Sequence, residues 1–262
     1  MIRALRSAAS GMYAQQLYID TIANNLANVN TTGFKRARME FQDLVYQNLR
    51  GNGNAQEAGT ILPTELQIGH GVRPIAIQRS YEQGNILPTN NPLDISIDGE
   101  GFFQVSKPDG MVLFTRDGSF KVSPDGLIVT ADGMPVEPSL TIPPDTTEVS
   151  IARDGTVSVT LIGETAPQTI GQIELARFVN PAGLSALGQN LLQETVASGP
   201  PILGNPGKEG MGQVSQGFLE SSNVQIVEEM VAMIMAQRAY EVASKAIRTA
   251  EDMLSIANSL KR

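Results

Sequence analysis

Apolar residues recur alternately four and three positions apart at the start of the chain: Met1, Leu5, Ala8, Met12, Ile19, Ile22, Leu26 and Val29, with Gln15 as the polar member. That spacing is a heptad seam, and it predicts a helix over residues 1–31. The other end repeats it through Ile226, Met233, Ala236, Tyr240, Ala243, Ile247, Ala250, Leu254 and Ala257, with Glu229 as the polar member, inside a predicted helix over 222–262. A further stripe, Val224, Val227, Val231 and Ile234, runs along a different face. The first half of this helix is therefore apolar on more than one side, and such a helix expects burial by several neighbours. At 1.5 Å per residue the two helices reach about 45 and 55 Å. Alanine fills much of the seam while a fully buried Leu or Ile contributes only about 1.5 to 3 kcal/mol, so one isolated pair of helices is marginal.

Between the ends the period changes to two. From Leu93 the chain runs LDISIDGEGFFQVSKPDGMVLFTRDGSFKVSPDGLIVTADGMPVEP, short β-rich runs broken by Asp-Gly at Asp98, Asp109, Asp117, Asp125 and Asp132, with another at Asp154. Asp-Gly is a strong hairpin signal because glycine accepts the positive φ of a tight turn. A meander of short antiparallel strands is expected, continuing through 168–179, after which Asn180-Pro181-Ala182-Gly183 opens a loop-rich return. The fold class is α+β: long terminal helices paired as a coiled coil, with a central, mainly antiparallel β domain. The expected divisions are an N-terminal helix over 1–31, an extended connection over 32–82, an outer β domain over 83–180, a return connector over 181–221 and a C-terminal helix over 222–262.

Composition narrows the function. The chain has 262 residues, no cysteine, no tryptophan, one histidine and a formal net charge of −8. An acidic chain without a basic stripe argues against nucleic acid, whose phosphates need clustered Lys and Arg. No apolar run is long enough to insert in a membrane, and MIRALRSAASGMYAQQ has no continuous apolar block of the kind a cleaved secretion signal carries. Without cysteine there is neither a disulfide staple nor a thiolate metal site. His70 lies in Gly69-His70-Gly71 with no G-x-S-x-G elsewhere, so a catalytic triad finds no support. Residues 204–209 (GNPGKE) lack the phosphate-loop pattern, and the Asp-Gly turns lack the alternating ligands of a calcium loop. Asp98 and Glu100 could form a carboxylate pair for glycoside hydrolysis but are equally expected as solvated turn acids, and no tryptophan offers a sugar platform. No catalytic residue, cofactor or metal ligand is expected.

The stretch ANNLANVNTTGF carries Asn24, Asn25, Asn28 and Asn30 inside or beside the seam. Amides both donate and accept, so they can satisfy buried backbone or a neighbouring helix without adding charge. Asn30 to Gly33 also suits a helix end, where Asn or Gly takes the left-handed conformation.

This stretch, extended to Lys35, resembles the N-terminal signature of bacterial flagellar rod and hook proteins. Gln83-Gly84-Asn85 with Asn91-Pro92-Leu93-Asp94, Gly99-Glu100-Gly101-Phe102-Phe103 and Thr115-Arg116-Asp117-Gly118-Ser119-Phe120 resemble the start of that family's β domain. Ser221-Ser222-Asn223-Val224, Glu229-Met230-Val231, Gln237-Arg238-Ala239-Tyr240-Glu241 and Ser244-Lys245 resemble its C-terminal helix. The matches span nearly the whole chain in order. Length, and the extra segment 46–63 (YQNLRGNGNAQEAGTILP), are most similar to the distal-rod members, in which that segment is taken to stiffen the rod. Ala243 stands where such proteins often have Asn, and Phe114 where Tyr is common.

The resemblance implies a structural subunit that assembles with its own copies into a hollow helical drive shaft, passing torque from motor to hook around the export channel. It implies proximal rod, hook and surrounding ring proteins as partners, a place in the basal body where the rod crosses the periplasm, and type III export without a cleaved signal. The expected assembly interface comprises Leu5, Met12, Ile19, Ile22, Asn24, Asn25, Leu26, Asn28, Val29, Val224, Val227, Val231, Met233, Ile234, Tyr240, Ile247 and Leu254, with Tyr46, Leu49, Ile61, Leu62 and Pro63 in the rod-specific segment. Another axial protein, proximal rod or hook, is the nearest alternative. A secreted carbohydrate-binding β module with coiled-coil ends, and a peptidoglycan-acting enzyme using Asp98, Glu100 or His70, are the others.

Overall fold

The computed structural model describes residues 2–50, 66–163 and 166–259. The chain divides into two units. One holds residues 1–26, 37–78 and 225–262; the other holds 27–36 and 79–224. The chain thus passes from one unit to the other four times, and both ends lie in the first.

The first unit contains α1 (Ile2–Ala27), four strands and α2 (Ile226–Ser259). The strands are β1 (Ala37–Asp43), β2 (Tyr46–Arg50), β3 (Leu66–Gly69) and β4 (Val72–Arg79), which pair antiparallel as β2 with β3 and form a second two-stranded ribbon from β1 and β4. Helix α1 ends earlier than the apolar spacing predicts. Asn28 begins a turn instead, its carbonyl and side-chain Oδ1 accepting from the Thr31 N–H and hydroxyl at 3.1 Å each, so Val29 lies outside the helix. Competition of this kind between a short polar side chain and the helical ladder is the usual reason that Asn ends helices. Gly33, with φ +66°, takes the left-handed conformation expected near here; Asn30 does not. Helix α2 opens with Glu228 and Glu229 in its first turn, where carboxylates complement the helix dipole.

The second unit carries β5 (Ile86–Pro88), β6 (Ile95–Asp98), β7 (Phe102–Ser106), β8 (Val112–Thr115), β9 (Lys121–Val122), β10 (Ile128–Val129) and β11 (Val136–Glu137). Then come β12 (Thr146–Ile151), β13 (Thr156–Leu161), β14 (Gln168–Gln172), β15 (Leu175–Arg177), β16 (Ser185–Gly188), β17 (Leu191–Gln193), β18 (Ile202–Gly204), β19 (Gln213–Gln216) and β20 (Phe218–Glu220). A sheet in the order β16-β17-β8-β7-β15-β18, with β11 also on β7, forms its centre. Strand β7 reads FFQVS with no alternation because both its faces are covered. Phe103 and Val105 enter the main core with Leu113, Leu175 and Val214, while Phe102 joins Phe114, Phe178 and Leu192 in a smaller cluster on the other face. Edge-on aromatic pairs fix the packing on both sides: Phe103 with Phe120 at 5.1 Å, and Phe114 with Phe178 at 4.8 Å.

Three expectations fail here. A simple meander holds for β7–β8 and for β12–β13–β14, but β6 pairs with β19 and β5 with β20, so the two ends of this unit are stitched together. The stretch 181–221, read as a return connector, instead supplies three strands of the central sheet and two closing strands. Runs of three or four residues such as LLQ and ILG are too short to display a period. Asp117-Gly118 is also not a positive-φ turn like the other Asp-Gly pairs. A Cβ on Gly118 would lie 1.6 Å from the Ile95 carbonyl oxygen, so glycine is required for close backbone approach. Asp117 accepts instead from the Thr32 hydroxyl at 2.9 Å and the Ser119 N–H at 3.1 Å.

Candidate assembly surface and ion-pair cluster

Helix α1 uses two faces, and only one of them is the apolar seam. Ile22 is buried, and Leu5, Met12, Ile19 and Leu26 are half-buried. The other face carries Ser7, Ser10, Ala14, Tyr18, Thr21 and Asn25, again three and four apart, and packs on the β1–β4 ribbon. Near its start the Ser10 Oγ accepts from the Val72 N–H at 3.3 Å, and a Cβ on Gly71 would collide with that Oγ. Further along, Tyr18 meets Phe41 edge-on at 5.9 Å. At its end Asn25, 1% exposed, pairs with β1: its Oδ1 accepts from the Ala37 N–H at 2.9 Å and its Nδ2 donates to the Ala37 carbonyl at 2.8 Å. The same Nδ2 donates to Glu229 Oε2 at 3.1 Å and so ties α1 to α2. This small and polar stripe escaped the apolar count, although its spacing is the same.

On α2 the buried positions Glu229, Ala236 and Ala250 follow one heptad position, with Ala243 half-buried between them. Met233 and Ile247 are half-buried as well, whereas Tyr240 and Leu254 are exposed. The second stripe divides. Val224 is buried, but Val227 is 74% exposed and Val231 and Ile234 about half, with Met235 and Val242 exposed beside them. Asn24 is exposed and Asn28 half-buried in its turn. Tyr46 and Leu49 project from β2 into solvent, with Leu66 and Ile68 exposed on the paired β3. Ile61, Leu62 and Pro63 lie outside the described residues. His70 is half-buried between β3 and β4, and among the described residues no group of His, Asp and Glu could hold a metal.

The second unit contains a charged cluster that sequence reasoning did not single out. Glu220, at the end of β20 and 2% exposed, sits between Lys35 Nζ and Arg116 Nε, each at 2.6 Å. It also accepts from the Gly84 N–H at 2.8 Å. Lys35 donates to the Glu82 carbonyl at 2.7 Å, and the remaining Arg116 N–H groups reach the carbonyls of Ile97, Gly99 and Gly101. Burial pushes the Lys35 ammonium down, against the pull of Glu220. For Glu220 burial acts upward, but the Arg116 and Lys35 charges outweigh it and hold the carboxyl below its usual range. Gly33 completes the junction: its N–H donates to the Glu220 carbonyl at 2.9 Å, and a Cβ there would lie 2.7 Å from the Arg116 carbonyl carbon. Lys35 and Arg116 both stood inside recognised motifs, but nothing in their spacing shows that one carboxylate serves both.

Three family patterns match the chain in order. Residues 5–35 match the flagella basal body rod protein family, 96–159 the D1 domain of the flagellar hook protein FlgE/F/G family, and 215–260 the C-terminal region of the flagellar basal body rod FlgEFG family. The flagellar basal-body rod protein FlgG of Borreliella burgdorferi is 52% identical over the whole of both chains. The chain belongs to the FlgG family of flagellar basal-body rod proteins. FlgG of Caulobacter vibrioides is 48% identical over 99% of this chain and all of its own, and FlgG of Bacillus subtilis is 39% identical over the whole of both. The flagellar basal-body rod protein FlgF of Caulobacter vibrioides falls to 33% over 94% of this chain and 92% of its own. As a FlgG-family member the chain is a structural subunit of the flagellar distal rod and not an enzyme, which removes the glycosidase and triad alternatives.

Proposed function

We propose that the α1 seam and the outer stripe of α2 pair with those of neighbouring copies as coiled coils, forming the wall of a hollow helical shaft with the β unit outward. The observation that carries this reading is the exposure of Val227, Val231, Ile234, Met235 and Val242 on a helix whose opposite stripe is already buried. Each such side chain contributes about 1.5 to 3 kcal/mol when removed from water, so a long row of them favours association strongly. A head-to-tail contact that does not close into a ring builds a helix, and packed interfaces transmit strain rather than deform continuously. Such a shaft passes torque from motor to hook and encloses the export channel. Proximal rod proteins below, hook protein above and ring proteins around it are the partners, and the subunit reaches its place across the periplasm through type III export as an unfolded chain.

The charge distribution suits this arrangement. The first unit has ten acidic and ten basic residues, whereas the second has seventeen acidic and nine basic, so the whole net charge of −8 belongs to the second. A unit without net charge can be packed against copies of itself with little overall like-charge repulsion. The test is polymerisation of the purified chain followed by electron microscopy, beside Val231→Asp. Hollow tubes from the parent chain and none from the variant are expected; tubes from both would remove the outer stripe of α2 from the interface.

A further inference from the structure

We propose that Glu220 is a folding latch: the second unit closes only when the last strand of its fold delivers this carboxylate between two cations already waiting in the chain. The reasoning rests on the cluster itself and not on the rod reading. Lys35 precedes the bulk of this unit, Arg116 directly follows β8 in the middle of it, and Glu220 ends β20 at its close. Both cations are nearly inaccessible, with side-chain exposures of 4% and 6%, and Glu220 is the acid that stands against both.

Arg116 cannot escape by rotation, because its other N–H groups are held by the carbonyls of Ile97 in β6 and of Gly99 and Gly101 in the loop that leads to β7. Folding the centre of the unit without Glu220 would therefore bury a guanidinium with carbonyl acceptors alone and an ammonium beside it. Buried charge without its counter-charge is strongly disfavoured, while a completed cluster is not. The penalty falls on partial structures and spares the finished one. Closing the pair also joins residues 185 positions apart, so the contact is entropically late as well as electrostatically required. The strand pairing points the same way: β5 awaits β20, β6 awaits β19, and the Gly33 N–H awaits the Glu220 carbonyl. A chain that has not yet delivered residue 220 is thereby kept open.

Refolding of the full chain from denaturant, followed by pulsed hydrogen exchange and mass spectrometry of the segments, tests the latch. In the parent chain β7, β8 and β20 should gain protection in one kinetic phase. In the triple variant Lys35→Met/Arg116→Met/Glu220→Leu, which replaces the charges by apolar side chains, β7 and β8 should become protected at least tenfold sooner than β20. Glu220→Gln alone should raise native-state exchange in β7 and β8 at least tenfold, and the triple variant should reverse that rise. Protection of β7 and β8 ahead of β20 in the parent chain would overturn the proposal without use of any variant. Unchanged exchange in Glu220→Gln, or a triple variant no better protected than the single one, would also overturn it by reducing Glu220 to a space-filling role.

Discussion

Asn25 and Ala37 exchange two hydrogen bonds, 2.8 and 2.9 Å long, in which a side-chain amide takes the place of a neighbouring strand. The amide lets a helix end serve as the first pairing partner of β1, and its spare N–H holds Glu229 on α2. Asn25→Ala leaves the Ala37 N–H and carbonyl without this partner. An unsatisfied buried group costs about 1 to 3 kcal/mol, so destabilisation of that order is expected in denaturant titration of the monomer. Exchange at the Ala37 amide should rise with it, while β7 and β8 stay protected.

Acid should open the second unit before general denaturation would. The Glu220 carboxyl is held below its usual range in the fold, so it binds fewer protons there than in the unfolded chain. Its contribution is fully present above the unfolded carboxylate value and is lost as pH falls through the depressed folded one. Thermal unfolding followed from pH 7 downward should show stability falling in the acid range, and the triple apolar variant should flatten that slope. Lys35 acts in the same direction at the alkaline end, where stability also rises with pH. Its lowered value makes the unfolded chain the better proton binder, so the penalty for its burial is full below the folded value, shrinks as pH rises past it and is gone above the unfolded one.

Gly118→Ala should be among the most damaging substitutions in the molecule. The added methyl would meet the Ile95 carbonyl oxygen, a backbone atom of β6 that cannot rotate away. A loss above about 4 kcal/mol is expected, the exceptional end of the range for single changes. Equilibrium unfolding of the variant checks this, and a loss below about 1 kcal/mol would show that the β6 backbone yields.

Polymerisation should depend on salt. Copies packed side by side bring together units that each carry the full −8, and mobile ions screen such repulsion over about 10 Å at 0.1 M. The concentration needed for tube formation should therefore fall as sodium chloride rises from low levels, measured by sedimentation. A rise instead would mean that opposite charges meet across the contact.

Much of this was legible in the sequence, and the failures share a cause. The two long helices, the β7–β8 and β12–β13 hairpins and the family itself could be read because long periods and Asp-Gly turns repeat locally. The α1 face formed by Ser7, Ser10, Ala14, Thr21 and Asn25 was missed because its residues are small or polar, and hydrophobic counting passes over them. Strands β16 to β20 were missed because each is three or four residues long and takes its stability from distant partners. Glu220 carried no local sign, since its meaning comes from Lys35 and Arg116 far away in the chain. Asn28 stopped α1 before Val29, a capping effect that an apolar register cannot see.

Because both termini belong to one unit and the other is threaded between them, the β unit is in effect a removable cartridge. A hairpin tip such as Asp109-Gly110, exposed on both sides, could accept an entire additional domain without altering a residue of either terminal helix. Relatives with the same ends and bulkier middles would then differ in what is inserted and not in the terminal helices.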